Sequence, residues 1–352
     1  ISKGNFIKLK SENLHANEVA VQKVYECLVA ESDVLIALGA GTIHDITRYV
    51  AYNKDIPFIS VPTAASVDGF TSTGADMTWR GYKKTFTAVS PIYVVADTDI
   101  FKEAPYRLTA SGVSDLIGKY IALVDWKISS IVIGEYICNR ICNMEIDAIN
   151  KVCQCVDELV LGNTEAYEQL MYALIISGLA MQIIGNSRPA SGAEHHMANL
   201  WEMEVINEHL NAYHGERVSA ALILVMEEYE KIKKAIENER CRVKKYSGLE
   251  MDMLKEVFRG REMYNSIIKE NTPDPLLNVN KVILQNRLEN IAEILEKLPT
   301  LDFVKNTLMR AKAVTTFEEI GLPQGIKEKS LRISPYTTNR LTLMRLSKML
   351  DY

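Results

Sequence analysis

The hydrophobic pattern of this chain changes period near residue 102, and that change limits the folds open to it. Before it, short apolar, β-rich runs alternate with helical ones. Asn5–Leu9 reads as a short strand, and Glu18–Ala30 carries Val19, Val21, Val24 and Leu28 at helical spacing. Val34–Leu38 is a continuous apolar run ending in Gly-Ala-Gly, the pattern of a buried parallel strand. Thr42–Ala51 reads as helix, Pro57–Val61 as strand, residues 76–90 as a hairpin around Gly81, and Pro91–Ala96 as a further buried strand. Strands alternating with helices imply an α/β sheet with parallel pairs.

After residue 102 nearly every segment repeats at 3.6 residues: 115–143, 145–160, 164–184, 193–208, 216–238, 249–269, 281–296, 301–313 and 339–349. Turn signals separate them, among them Gly162-Asn163, Gly185-Asn186 and Pro273-Asp274-Pro275. The expected organisation is an α/β domain over 1–102 and an all-helical domain over 103–352. A length of 352 residues fits two domains at about 150 residues each.

Composition excludes several classes. Apolar residues at 47% and charged residues at 24% are those of a globular chain. A net charge of −5 leaves no basic footprint for nucleic acid. The first residues carry scattered Lys, Glu and His and no apolar run of the export type, so a cytoplasmic location is expected. The longest charge-free run, Gln169–Ser187, has an apolar centre shorter than the roughly 20 residues a bilayer needs. It reads as a buried helix rather than a membrane span. Cys138, Cys142, Cys153 and Cys155 lie close in sequence, but CxxxC followed by CxC is not a zinc spacing. The six cysteines read as buried, reduced thiols.

Three features carry chemistry. Gly39-Ala40-Gly41 sits between a strand and a helix, where backbone can approach a pyrophosphate and helix N–H groups can face it. The third glycine of GxGxxG is absent, and a plain tight turn would carry the same residues. The stretch VPTAASVDGFTS, 61–72, follows a strand and is rich in small hydroxyl residues around Asp68, a composition able to wrap a nicotinamide or ribose. Asp115, His195 and His214 are ligand types suited to a divalent first-row ion, and three protein ligands leave a position for substrate. Their spacing alone is not a motif.

The stretches GAGTIHDITRY, SVPTAASVDGFTS, SGVSDLIGKY and SRPASGAEHH…HG together resemble the sn-glycerol-1-phosphate dehydrogenases, particularly their bacterial branch, within the iron-containing alcohol dehydrogenase and dehydroquinate synthase-like superfamily. The resemblance runs from about residue 33 to 220 and more weakly beyond. It implies a Rossmann-like, mostly parallel N-terminal nucleotide-binding domain followed by an all-α domain. It places Gly39, Gly41, Thr42, Ile43 and Asp45 in the nucleotide-binding turn, and Thr63, Ser66 and Ser72 in a second cofactor loop. Asp68 becomes a substrate-binding carboxylate; Asp115, His195 and His214 become metal ligands, with Asp115 also against substrate. Asn199 stands one helical turn after His195, where relatives often carry a second His near substrate; Asn cannot titrate near neutral pH. His196 is then the bland neighbour of His195, and His15, His44 and His209 are surface or loop histidines. Lys119, Arg188 and Lys84 are candidates to meet a phosphate. Ala40 replaces a usual glycine and Arg48 a commoner lysine.

The implied reaction is reduction of dihydroxyacetone phosphate to sn-glycerol 1-phosphate in phospholipid biosynthesis, with Asp68 and Asp115 catalytic. The implied cofactors are NAD(H) or NADP(H) and one divalent ion, Zn²⁺ by default with Ni²⁺ or Fe²⁺ fitting similar ligands. A homodimer or higher homo-oligomer, with no nucleic acid and no membrane partner, is implied as well. Glycerol dehydrogenase, another polyol dehydrogenase, and a catalytically weak NAD- and metal-binding regulator are the competing readings. The resemblance further implies that a strand–helix unit of the α/β domain precedes Ile1.

Overall fold

The structure, a computed structural model, describes residues 4–12 and 14–352. Ile1, on which the expectation of a preceding unit turns, lies outside the described residues. The α/β part starts with α1 (Glu18–Cys27), whose N-terminus is capped by the Asn17 side chain accepting from Ala20 N at 2.9 Å. It continues with β1 (Leu35–Gly39), α2 (Gly41–Lys54) and β2 (Phe58–Pro62). A hairpin follows, β3 (Gly74–Trp79) and β4 (Tyr82–Thr87), and then the two-residue strand β5 (Tyr93–Val94). β1, β2 and β5 form one parallel sheet in that order, with Leu35 opposite Phe58 and Ile59 opposite Tyr93. Arg80 and Gly81 both take positive φ at the hairpin tip, the geometry of a two-residue turn matched to strand twist.

The remaining chain is helical apart from one short strand pair, β6 (Arg242–Val243) with β7 (Leu350–Asp351). Its helices are α3 (Thr98–Phe101), α4 (Tyr106–Ile133), α5 (Asn139–Gln154), α6 (Val156–Val160), α7 (Thr164–Ile184), α8 (Ala193–Glu202) and α9 (His214–Glu237). There follow α10 (Met251–Val257), α11 (Arg261–Glu270), α12 (Lys281–Glu296), α13 (Leu301–Arg310), α14 (Ile326–Ile333) and α15 (Leu343–Leu346). α4 is the central one: twenty-one of its residues, from Thr109 to Val132, are buried, and the largest hydrophobic cluster is built around it. α7 is long and apolar enough to cross a membrane by length and composition; half of its most apolar window is buried.

Several local expectations are corrected. Residues 5–9 form no strand: Phe6 is exposed, and only Ile7 and Leu9 lean on the α1–α2 cluster. α4 runs from 106 to 133 rather than 115 to 143, because Pro105 starts it and Gly134, in the left-handed region, stops it. The long segment 249–269 divides at Gly260 (φ 94°) into α10 and α11. The parallel strands expected to be buried are covered on one face only. α2 packs that face, while Ile36, Leu38, Ile92, Tyr93 and Val95 are exposed on the rest of the sheet. Among the cysteines, Cys142, Cys153 and Cys241 are buried as expected, but Cys27 is exposed; all six are free.

Close backbone approach joins the two parts. A Cβ on Gly112 of α4 would lie 2.0 Å from the Ala65 carbonyl oxygen, so the helix touches the 61–72 loop directly. Gly112→Ala is expected to lower the thermal unfolding midpoint by an amount corresponding to about 1–3 kcal/mol, since neither backbone can rotate away. An unchanged midpoint would show that the loop yields freely.

Candidate active site

α4, α8 and α9 bring three polar side chains to one point. Asp115 lies mid-way along α4, His195 in the first turn of α8, and His214 at the first residue of α9. α9 is seated against α4 because Gly215 has no side chain: a Cβ there would meet the Ser111 carbonyl oxygen at 1.9 Å. The Gly215 amide donates to Ser111 Oγ at 3.1 Å, and Glu216 accepts from the Tyr213 amide at 2.7 Å. One ligand-type atom from each of Asp115, His195 and His214 lies within 4.8 Å of the others. This set of one carboxylate and two imidazoles suits a divalent first-row ion.

The shell around the three supports the same use. Glu194 sits 2.6 Å from His195 Nδ1, which fixes the proton there and leaves Nε2 directed at Asp115 Oδ1, 3.2 Å away. A carboxylate behind a ligating imidazole orients it and raises its basicity. Burial would lower the His195 pKa, but hydrogen bonds to Asp115 and Glu194 win and carry it up to about 9. His214 goes the other way, to about 4, through burial and the neighbouring His195 charge. Burial would raise Asp115, yet Lys119 and the two histidines hold it well below the usual carboxylate range.

Lys119 ties this centre to the hydroxyl-rich loop. Its fully buried ammonium pairs with Asp115 Oδ1 at 3.0 Å and Asp68 Oδ2 at 2.9 Å. Asp68 also accepts from Ser177 Oγ at 2.9 Å, and its own amide donates to Asp115 Oδ2 at 3.0 Å. Lys119 is therefore enclosed between two carboxylates rather than open to a phosphate. Arg188 is enclosed too: its Nε donates to Glu135 at 2.9 Å and its Nη2 to the Leu341 carbonyl at 2.7 Å. Both expectations for these cations are corrected for the same reason, that a buried charge takes an internal partner. Lys84 stays exposed on β4.

Asn199 faces the cleft between the hairpin and the helical part. His195 and His196 diverge as adjacent helical residues do; both ring nitrogens of His196 are buried without a partner. His44, expected at the surface, is buried on α2 with its ring edge-on to Phe70, and burial lowers it to about 4. Sequence reading passed over Glu145. It lies on the buried stripe of α5 with Ile141, Cys142, Ala148, Ile149 and Val152, and a charged residue inside an apolar helical stripe was the available signal. Both its oxygens are buried without a hydrogen-bond partner. Burial, and the Asp68 and Asp115 charges against that of Lys119, raise it to about 8.

At the other end of the loop, Gly39 ends β1 and α2 starts at Gly41 with no acidic residue in its first turn. Its free N–H groups and dipole face the carboxyl ends of the strands, the position that takes a phosphate. Ala40 has φ −84°, so replacing glycine there costs no strain. The Thr63 amide donates to the Gly39 carbonyl at 3.1 Å, joining the two loops. Arg48, fully buried on α2, donates to the carbonyls of Gly69, Ser72 (2.7 Å) and Gly74 (3.0 Å). Ser66 and Ser72 are buried, while Thr42, Ile43, Asp45 and Thr63 are partly exposed; burial raises Asp45 to about 7.

Residues 3–105 match the family model described as iron-containing alcohol dehydrogenase. The chain is 33% identical over 341 residues to the protein named glycerol-1-phosphate dehydrogenase [NAD(P)+] from Geobacillus thermodenitrificans, covering 97% of this chain and 76% of that protein. It is 39% identical over 316 residues to the protein of the same name from Halalkalibacterium halodurans, covering 89% and 71%. Among solved structures, an archaeal halo-thermophilic alcohol dehydrogenase from a Red Sea brine pool shares the fold, with a TM-score of 0.58 at 17% identity over 94% of this chain and 76% of that one. A glycerol dehydrogenase from Schizosaccharomyces pombe has a TM-score of 0.51 at 20% identity, covering 81% and 76%. With its convergent aspartate and histidines and its glycine turn, the chain belongs to the glycerol-1-phosphate dehydrogenase family, within the iron-containing alcohol dehydrogenases.

Proposed function

We propose that this protein is a metal-dependent oxidoreductase that reduces dihydroxyacetone phosphate to sn-glycerol 1-phosphate with NADH or NADPH. The observation that carries the reading is the convergence of Asp115, His195 and His214 beside the Asp68 loop, in a chain 33% identical over 97% of its length to a protein of that name. In this reading residues 1–102 hold the nucleotide and residues 103–352 hold the metal and the substrate. Zn²⁺ suits the donor set best, and Ni²⁺ or Fe²⁺ fits the same ligands.

When bound, the nicotinamide supplies hydride and the divalent ion supplies Lewis acidity for charge that develops on the ketone oxygen. The chain's residues do the rest. The α2 N-terminus and Gly39–Ile43 hold the pyrophosphate, and Thr63, Ser66 and Ser72 orient the nicotinamide end. Lys119 and Ser177 both bond Asp68 Oδ2, so the remaining oxygen of Asp68 is the one free to meet a substrate hydroxyl. Asn199 holds the substrate by hydrogen bonding and moves no proton. Proton delivery to the product alcohol therefore falls to Asp68 or to water it positions.

Purified protein is expected to oxidise NADH with dihydroxyacetone phosphate, to lose that activity with a chelator, and to regain it with a divalent ion. Asp115→Ala and His214→Ala should each lower kcat/KM by at least about 100-fold. Full activity in either variant would remove the site assignment, and turnover of glycerol or dihydroxyacetone alone would move the reading to a polyol dehydrogenase.

Glu145 yields a prediction about stability. Its folded pKa, about 8, lies above the ordinary 4.5, so the folded protein keeps a proton that the unfolded chain loses. Stability present below about pH 4.5 is then lost as pH rises towards 8, by up to about 1.4 kcal/mol per pH unit for one proton. Glu145→Gln should flatten the fall in thermal midpoint between pH 5 and pH 8. Parallel profiles for the two proteins would contradict this account of Glu145.

A further inference from the structure

Arg340, which is half-buried, stands apart from the buried arginines. Arg48, Arg188 and Arg345 each have a carboxylate within ion-pair distance: Asp45 at 3.8 Å, Glu135, and Asp274 at 2.9 Å. Arg340 has none among the described residues. Its Nη1 donates to the Ser191 carbonyl and its Nη2 to Ser187 Oγ, both at 3.0 Å, and both acceptors are neutral. A charge half withdrawn from water and left without a counter-ion costs stability unless something else supplies one. Charges of both signs surround it beyond ion-pair distance. Burial and the Arg188 charge lower Arg340 to about 10, against the opposing charges of Glu135, Asp76 and Glu194.

Arg340 faces the cleft between the hairpin and the helical part, a space of about 300 Å³ that Asn199 and Ser72 also line. Asn199 follows His195 by one turn of α8, and Ser72 ends the loop that carries Asp68, so two elements of the proposed site reach this cleft, while Asp68 and the three proposed metal ligands do not line it. Of its other charges one is paired, and two are carboxylates with neutral donors and no cation at ion-pair distance among the described residues. Lys83 pairs with Glu202 at 2.8 Å, Asp76 accepts the Thr85 hydroxyl, and Glu270 accepts the Asn339 amide at 3.1 Å. Lys84, on the opposite wall, forms no ion pair among the described residues and lies over the Phe86 ring at 5.5 Å. The cleft thus presents two cations without an ion-pair partner, Arg340 held by two hydrogen bonds and Lys84 exposed, alongside the carboxylates of Asp76 and Glu270.

We propose that Arg340 is the anchor for the phosphate of the substrate, with Lys84 closing on it from the hairpin. This rests on the reading of the substrate as a phosphorylated ketone and adds the residues that distinguish it from the unphosphorylated one. Arg340 is held by its two hydrogen bonds before ligand arrives, so little rotamer freedom remains to be lost on binding. A guanidinium donating to a phosphate makes charge-assisted bonds that a neutral hydroxymethyl group cannot return.

The test compares wild type, Arg340→Gln, Arg340→Lys and Lys84→Gln as full chains loaded with metal. One arm measures kcat/KM for dihydroxyacetone phosphate relative to dihydroxyacetone; the other measures binding of inorganic phosphate by calorimetry. Arg340→Gln should lower the preference for the phosphorylated substrate by about 10- to 100-fold and weaken phosphate binding at least tenfold. Arg340→Lys should recover part of each, and Lys84→Gln should show a smaller loss of both. A folded Arg340→Gln protein with wild-type preference and wild-type phosphate binding overturns the proposal. Should Arg340→Gln not fold, Arg340→Lys and Lys84→Gln with both quantities unchanged overturn it equally. If wild type fails to reduce dihydroxyacetone phosphate yet binds inorganic phosphate through Arg340, the substrate reading fails and the anion site stands.

Discussion

The ammonium of Lys119, buried between Asp68 and Asp115, is the interaction on which the rest of the site depends. Two carboxylates withdrawn from water are tolerable because one ammonium lies at hydrogen-bond distance from both. The arrangement fixes which atom of each carboxylate is occupied. Asp115 Oδ1 faces Lys119 and His195, and Asp115 Oδ2 takes the Asp68 amide. Asp68 Oδ2 takes Lys119 and Ser177. Loss of the lysine would leave two like charges facing each other in a dry interior. A carboxylate of the proposed metal set and the carboxylate of the cofactor loop are therefore placed by a single side chain.

The loop is held from its far side by a second buried cation. Arg48, two turns into α2, collects three carbonyl oxygens from residues 69–74, while Lys119 acts through Asp68 from α4. A polar segment rich in hydroxyls would otherwise be mobile, and here it is clamped between the sheet part and the helical part. Small residues make the clamp geometrically attainable. Gly112 lets α4 approach Ala65, and a Cβ at Gly178 of α7 would lie 2.1 Å from Thr71 Oγ1. Backbone proximity and ion pairing thus act on the same ten or so residues from opposite directions, which suits the proposed role of this segment in holding a cofactor rigidly.

How much of this was legible in the sequence depended on the range of the interaction. β1, the glycine turn, α2, β2 and the hairpin were readable because strand periodicity, Gly-Ala-Gly and Arg-Gly are local signals. The end of α4 at Gly134 was missed because the apolar pattern runs on through Ile137 into Cys138. The exposure of Ile36, Leu38 and Tyr93 was also missed, since an apolar strand does not reveal how many faces are packed. Asp115, His195 and His214 could be named through resemblance but not through spacing, because three helices far apart in the chain bring them together. The roles of Lys119, Arg188 and Arg340 had no sequence signal at all. A cation's partner is a tertiary fact, and these three differ only in whether the fold provides one. Glu145 was the exception, readable in principle as a charge set in an apolar helical stripe.

That difference among cations divides the interior into two regimes. Where a carboxylate is available, as for Lys119 and Arg188, the charge is structural and its field is cancelled within a few ångströms. Arg340, at the cleft, has none at ion-pair distance among the described residues, and in the proposed reading the substrate phosphate would complete it. The proposed metal ligands sit near the first regime and the unmatched cations line the second, with Asn199 between them on α8. A substrate carrying a ketone at one end and a dianion at the other is matched to that gradient. It would be oriented by electrostatics before any close contact is made. Asn199 suits this intermediate position because it donates and accepts without changing charge. In the proposed reaction it would align the carbon skeleton at any working pH while leaving proton transfer to the carboxylate side of the site.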